Sequence, residues 1–284
     1  MINPKLKTYL GRRINEATVI LSFRILLDNV INKGAHSTLT KAQIEAEFNR
    51  QHHKYGISTF RSYYVLRQSG NDENAISQCE NQFFIKPNFI KGMDTPDFME
   101  VAKCIDNYWD KLSAEQNRFL NDIQKQLENT LEIKKAFIKQ MLLSIETRKK
   151  GQCFEVASFS ILKVYLQNRG FELNRYSTVY SNDGGIDFTA QNAVYQVTTK
   201  LNKKKFQDDL KKVPLKHRIF VFRELSPNFD KKEFDNELIL DYIGTTELID
   251  YLNYLSERVN AERNLNKIIE NILYEFRREY YVSQ

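Results

Sequence analysis

A carboxylate, an amide and a lysine stand at regular spacing in the segment SNDGGIDFTAQNAVYQVTTK. The pattern predicts two short strands joined by a tight turn at Gln191–Asn192. Counting outward from that turn pairs Asp187 with Gln196, and directly opposed residues on one face have Cβ atoms about 4.5–5.5 Å apart. Because side chains alternate along a strand, we expect Thr198 and Lys200 to share the face of Gln196.

These residue types suit a divalent metal ion and a phosphodiester. Magnesium prefers hard oxygen ligands and keeps several waters, so one or two carboxylates and a carbonyl oxygen are enough to hold it. Such an ion polarises a phosphate and lowers the pKa of the attacking water, and a nearby lysine stabilises the charge that develops. We therefore expect Asp187 and Gln196 to bind Mg²⁺ and Lys200 to act beside them.

Glu155 is the second candidate acid. It lies at helical spacing from Phe159, Leu162 and Leu166, so it falls on an apolar stripe. A buried carboxylate is costly unless it is paired, hydrogen-bonded or bound to a metal, which makes Glu155 a further candidate ligand. The alternative is a carboxylate near the N-terminus of its helix, where the helix dipole favours an acid.

The predicted order of elements between residues 151 and 223 is α-β-β-β-α-β. This order, with FE at Phe154–Glu155, DGGID at Asp183–Asp187 and a glutamine at Gln196, resembles the PD-(D/E)XK restriction-endonuclease-like nucleases, especially the Mrr-like branch. The resemblance covers roughly a quarter of the chain. It implies an α/β fold with an αβββαβ nuclease core, and catalytic, Mg²⁺-binding roles for Glu155, Asp187 and Gln196.

The chain departs from the family pattern at one position. The family has a lysine two residues after the acid or glutamine, where this chain has Thr198. Lys200 lies on the same face, about 6–7 Å further along the strand. Three explanations are open: Lys200 reaches back, Lys203 or Lys204 on the following helix replaces it, or the site is weakened or inactive. We expect Lys200 to be the lysine of the site.

The N-terminal part has the order of a winged helix: helix, turn, helix, then a β-hairpin. The pattern predicts a long helix from about Leu6 to Ile31, a helix from near Lys41 capped by Thr38 or Thr40, a helix STFRSYYVLRQ, and strands in AISQC and NQFFIKPNFI. The STFRSYYVLRQ helix would enter the major groove. The alternative is a small helical cap or dimerisation domain whose basic residues are incidental.

Basic residues are concentrated after the proposed site. Between residues 196 and 232 the chain has eleven Lys or Arg and four Asp or Glu, a local net charge of +7, whereas the whole chain carries +6. A positive field of this kind attracts polyanions, although a solvated lysine-rich helix face has the same composition. Arginine binds guanine bidentately, so Arg61 is the strongest candidate for base contact. The predicted DNA-binding residues are Ser58, Thr59, Arg61, Arg67, Lys203 and Lys204.

Length and composition predict a soluble protein of one large or two ordinary domains. The order of predicted elements divides its 284 residues into three regions. These are a DNA-binding region at 1–94, a helical linker or dimerisation segment at 95–150, and the nuclease domain at 151–284. The three cysteines form neither a zinc pattern nor a disulfide framework, which favours a reducing, cytoplasmic location. Runs of about 18 apolar residues do not occur, so no membrane span is expected.

Together these patterns predict a Mg²⁺-dependent endodeoxyribonuclease, in particular a sequence-specific restriction endonuclease of the type II or Mrr-like kind. The expected partners are double-stranded DNA and a second copy of the chain, because two active sites must meet two strands. A companion DNA methyltransferase of the same system is expected without physical contact. The alternatives are a non-catalytic DNA-binding protein with a degenerate nuclease fold, and a nuclease acting on RNA or on nicked or branched DNA.

Overall fold

The computed structural model describes residues 2–14, 17–51, 73–144, 150–175, 186–212, 217–229 and 240–280. The chain forms two compact units, one of residues 1–119 with 280–284 and one of residues 120–279. The predicted boundaries at 94 and 150 stay a prediction, and a single helix is continuous from Thr95 to Lys125. Within the described ranges, no helix is long and apolar enough to cross a membrane.

The first unit combines helices with a small antiparallel sheet. Its strands are ordered β1-β3-β2, so the predicted β-hairpin is confirmed and a third strand is added to it. Its elements are α1 (Pro4–Arg13), α2 (Ala17–Lys33), β1 (Leu39–Thr40), α3 (Lys41–Gln51), β2 (Ile76–Cys79), β3 (Gln82–Ile85), α4 (Pro87–Ile90) and α5 (Thr95–Lys125), which continues into the second unit.

The region predicted as a long helix from Leu6 to Ile31 contains α1 and α2, and residues 15 and 16 between them lie outside the described residues. α1 buries side chains along one side, at Leu6, Tyr9 and Leu10. α2 instead buries most of its residues between Val19 and Val30. A helix that is apolar on most sides belongs in a core, and the buried residues of α2 are part of the first unit's core.

The start of α3 confirms one of the two predicted caps. The Thr40 backbone N–H donates to Gln43 Oε1 at 2.8 Å, and the Gln43 backbone N–H donates to Thr40 Oγ1 at 3.2 Å. This reciprocal pair is a capping box, which satisfies two backbone donors at the helix start. The sequence signal is the T-x-x-Q spacing, and it places the first residue of α3 at Lys41.

The second unit is a mixed α/β structure whose elements follow the predicted order α-β-β-β-α-β. An added strand and two further helices come after this order. The elements are α6 (Leu131–Leu143), α7 (Lys150–Gln167), β4 (Asn174–Arg175), β5 (Phe188–Ala190), β6 (Ala193–Leu201), α8 (Lys203–Lys212), β7 (His217–Leu225), β8 (Leu240–Ile243), α9 (Thr245–Ser256) and α10 (Ala261–Tyr280).

The five strands of this unit form one sheet in the order β4-β5-β6-β7-β8. The pairs β4–β5 and β5–β6 are antiparallel, whereas β6–β7 and β7–β8 are parallel. A parallel neighbour requires a crossover connection, and α8 provides it between β6 and β7.

Helices cover both faces of this sheet. The Phe159 ring of α7 packs against Phe188 with ring centroids 5.2 Å apart. On the other face, the Phe206 ring of α8 packs against Phe220 at 4.7 Å. Gln196 is in register with Phe220 on the neighbouring parallel strand, so the two side chains project to the same face. Gln196 therefore faces the α8 side of the sheet.

Candidate functional site

Asp187 and Gln196 lie together at the N-terminal end of β5, as the sequence predicts. Gln191 takes a positive φ of 49° at the turn, and Ala190 pairs with Ala193. The next step of the register brings the two polar side chains into contact, with Gln196 Nε2 donating to Asp187 Oδ2 at 2.9 Å. The predicted pairing is confirmed because it needs only the turn position and the alternation of side chains.

The Asp187 carboxylate also accepts a hydrogen bond from the backbone of the neighbouring strand. The described part of β5 begins at Phe188, while β6 runs on to Leu201. The Val197 backbone N–H donates to Asp187 Oδ2 at 2.6 Å, and the Asp187 N–H donates to the Tyr195 carbonyl at 3.0 Å. The described contacts of the carboxylate thus include the Gln196 amide and the Val197 backbone N–H.

Within the part of the chain that the structure describes, the Gln196 amide oxygen is buried without a hydrogen-bond partner. The residue is 8% exposed, and a buried polar oxygen without a partner carries a desolvation cost. The unpaired oxygen and the carboxylate of Asp187 are both hard donors of the kind that Mg²⁺ prefers. Among the residues that the structure describes, no group of three or more His, Cys, Asp and Glu side chains is placed to hold a metal. The described contacts bring together one carboxylate, of Asp187, and one amide, of Gln196.

Glu155 contacts an arginine in the structure. Arg175 Nη2 donates to Glu155 Oε1 at 2.8 Å, and Arg175 Nη1 donates to Glu275 Oε2 at 2.8 Å. Arg175 is in register with Phe188, which packs against α7. This buried ion pair therefore lies on the α7 side of the sheet, while Gln196 faces the α8 side. The described contacts thus bring Asp187 and Gln196 together and tie Glu155 to Arg175.

The position expected to carry a lysine is held by Thr198, which contacts a lysine from the next helix. Lys205 Nζ donates to Thr198 Oγ1 at 2.9 Å. Lys200, the predicted lysine, has an exposed side chain, and its backbone N–H donates to Thr198 Oγ1 at 3.4 Å. Lys203 and Lys204 are exposed at the start of α8. The pattern from the sequence identified this helix but not Lys205.

Two of the basic residues counted between residues 196 and 232 contact backbone carbonyls inside the unit. Arg218 is buried, donates through Nη1 to the Asp209 carbonyl, and has its pKa lowered by burial. Arg223 donates through Nη1 to the Ser144 carbonyl at 2.9 Å. These two arginines therefore hold the fold together, and the exposed positive charge comes from lysines such as Lys200, Lys203 and Lys204.

Several predicted DNA contacts lie outside the described residues. These are Ser58, Thr59, Arg61 and Arg67, and the DGGID turn residues Asp183 to Gly185 are also outside.

Sequence reasoning also missed Arg175, although a signal for it exists. A single arginine in the segment FELNRYSTVYS, which follows a helix with Glu155 on its apolar stripe, indicates an internal ion pair.

Comparisons of the chain with family models, with curated proteins and with solved structures find no significant match.

Proposed function

We propose that this chain is a Mg²⁺-dependent endodeoxyribonuclease with a core of the PD-(D/E)XK type. The observation that carries the proposal is the buried Gln196 amide, whose nitrogen contacts the Asp187 carboxylate and whose oxygen has no hydrogen-bond partner among the described residues. These oxygens lie on the sheet face that is covered by α8, whose first residues are exposed lysines. Two hard oxygen donors next to a basic helix suit a metal-bound phosphodiester.

In this proposal Asp187 and Gln196 hold the ion, which supplies Lewis-acid activation of a phosphate and its attacking water when bound. The Val197 N–H fixes the carboxylate so that it does not rotate away from the site. Hydrolysis forms a bond from the water oxygen to phosphorus and breaks one phosphorus–oxygen bond of the DNA backbone. The water proton ends on the leaving oxygen, giving a phosphomonoester and a hydroxyl.

Glu155 is not a ligand in the proposed site. Its carboxylate already neutralises Arg175, which is 1% exposed. If Glu155 bound a metal instead, the Arg175 guanidinium would lose that partner. Among the described contacts, Glu275 would then be the acid that still pairs with it. An incompletely compensated buried charge is costly, so the ion pair is the role that the contacts support.

The substrate proposed is double-stranded DNA. The first unit has the order helix, strand, helix in α2, β1 and α3. The β2–β3 hairpin comes later in the chain, beyond residues that lie outside the described ranges. This order supports a winged-helix arrangement. A winged helix reads the major groove with the helix before its hairpin. We extend the proposal to a sequence-specific restriction endonuclease that acts as a homodimer and is accompanied by a DNA methyltransferase of the same system.

A second candidate is a DNA-binding protein without catalytic activity. The observation that favours it is Thr198, which is not a lysine at the position where the family pattern has one. In that case the basic helix and the first unit would bind DNA and the oxygen pair would bind no metal.

The deciding experiment incubates the purified chain with plasmid and phage DNA in Mg²⁺ or in EDTA. The test variant is Asp187→Asn, which keeps an oxygen acceptor for Val197 but removes the charge that binds the ion. The matched control is Asp250→Asn, an exposed aspartate on α9. Discrete fragments that need Mg²⁺, persist in the control and disappear in Asp187→Asn are expected. Absence of cleavage with retained, salt-sensitive DNA binding would support the second candidate instead.

A further inference from the structure

One lysine of α8 contacts the sheet next to the proposed site. Lys205 is half-buried, whereas Lys203 and Lys204 are exposed. Its ammonium donates a hydrogen bond to Thr198 Oγ1 at 2.9 Å. Thr198 is buried and lies two residues after Gln196 on the same face of β6, about 6–7 Å along the strand.

The position of Lys205 is set by its neighbours in the helix. The Asn202 side chain caps α8 by accepting the Lys205 backbone N–H at 2.9 Å, and the Asn202 carbonyl accepts the Phe206 N–H at 3.0 Å. Phe206 is fully buried against Phe220 and Phe229. The helix start and this aromatic anchor therefore fix the backbone of α8 at Lys205, from which the ammonium reaches Thr198.

We propose that Lys205 supplies the cation of the phosphodiester site, in the place where the family pattern has a lysine on the strand. The inference rests on the proposed function. Through Thr198, the ammonium lies beside the row of side chains that begins with Asp187 and Gln196. Lys205 donates a hydrogen bond to a non-bridging phosphate oxygen and stabilises the charge that grows as water adds to phosphorus. It remains an ammonium throughout, so the proton balance of the hydrolysis is unchanged.

Lys200 is the weaker candidate on the same observations. Its side chain is exposed, and it lies one further step along β6, opposite Glu224 of β7. Holding the ammonium near Gln196 would require the exposed stem to fold back past Thr198, which costs side-chain conformational entropy. Lys205 is already held at Thr198, so less freedom is lost when phosphate binds.

The test compares Lys205→Met with Lys200→Met, and adds the double variant Lys205→Met/Thr198→Lys. Methionine keeps the unbranched stem and removes the charge. The double variant places an ammonium on the strand, at the position that Lys205 now contacts. Lys139→Met is the matched control, because Lys139 is an exposed lysine on α6 of the same unit. Near-UV circular dichroism confirms that each variant is folded.

The expected loss of cleavage in Lys205→Met is about 10²–10³-fold, the range for removing one preorganised donor to a developing charge. The double variant is expected to recover most of that loss, and Lys200→Met to lose less than Lys205→Met. A purely structural role for Lys205 would not be rescued by a lysine at position 198. Cleavage by Lys205→Met equal to that of the control, or a larger loss in Lys200→Met, would overturn the inference.

A second measurement separates this inference from the proposed function. Binding of duplex DNA is measured against salt concentration with Ca²⁺ in place of Mg²⁺. Loss of one phosphate contact lowers the slope of log affinity against log salt by about one, and this is expected for Lys205→Met but not for the control. If the wild-type chain does not cleave, the proposed function fails, while the slope still decides whether Lys205 contacts phosphate. An unchanged slope would refute that contact.

Discussion

Arg175 is expected to be the residue whose loss of charge most destabilises the second unit. Its side chain is 1% exposed and donates to the carboxylates of Glu155 and Glu275, each at 2.8 Å. Glu275 is itself 2% exposed. Arg175→Met retains much of the stem packing but leaves two carboxylates without their shared cation. A buried charge without compensation is among the largest single-residue penalties in a folded protein.

The size of the effect follows from these contacts. Removing one partner of a buried ion pair costs about 3–5 kcal/mol. Glu275 keeps a contact at 3.1 Å with Arg278, whose side chain is 41% exposed, so we expect the lower end, about 3 kcal/mol. With a urea slope of about 2 kcal/mol per M, the unfolding midpoint falls by about 1.5 M.

The assay is urea unfolding followed by far-UV circular dichroism. The single tryptophan, Trp109, belongs to the first unit, so its fluorescence does not report directly on the second. Arg263→Met is the control, because Arg263 is exposed on α10. A midpoint shift in Arg175→Met no larger than the control's would refute the reasoning. Adding Glu155→Gln and Glu275→Gln should recover part of the loss, because the carboxylates no longer lack a counter-charge.

Two further predictions concern the α7 side of the sheet. Glu155→Gln is expected to lower the free energy of unfolding by about 1–3 kcal/mol, because Arg175 loses a charged partner; an unchanged urea midpoint together with lost cleavage would instead make Glu155 a metal ligand. Burial, with Tyr251 and Asp241 nearby, raises the pKa of Tyr195 to about 12. Because the folded state then holds the proton more tightly, up to about 2 kcal/mol of stability is present below about pH 10 and lost as pH rises to about 12. Urea midpoints of the wild type and Tyr195→Phe over this range test this, and equal slopes against pH would contradict it.

Local patterns in the sequence were enough for the strand register and several element ends. The pairing of Asp187 with Gln196 depends on a two-residue turn and on alternation, both of which are properties of neighbouring residues. Likewise α7 ends at Gln167, shortly before Gly170, which takes a φ of 82° that other residues rarely adopt. The order α-β-β-β-α-β follows from the same kind of periodicity.

Contacts between distant elements required the tertiary structure. Glu155 and Arg175 are 20 residues apart and Arg175 and Glu275 are 100 apart, and their meeting depends on which helix covers which face of the sheet. The lysine beside Thr198 was likewise assigned to the same strand, because strand periodicity relates only residues of that strand. Its actual partner, Lys205, reaches Thr198 from α8, which packs on the sheet through Phe206. Which charged side chains contact each other depends on how the helices pack on the sheet, and the periodicity of the sequence does not specify that packing.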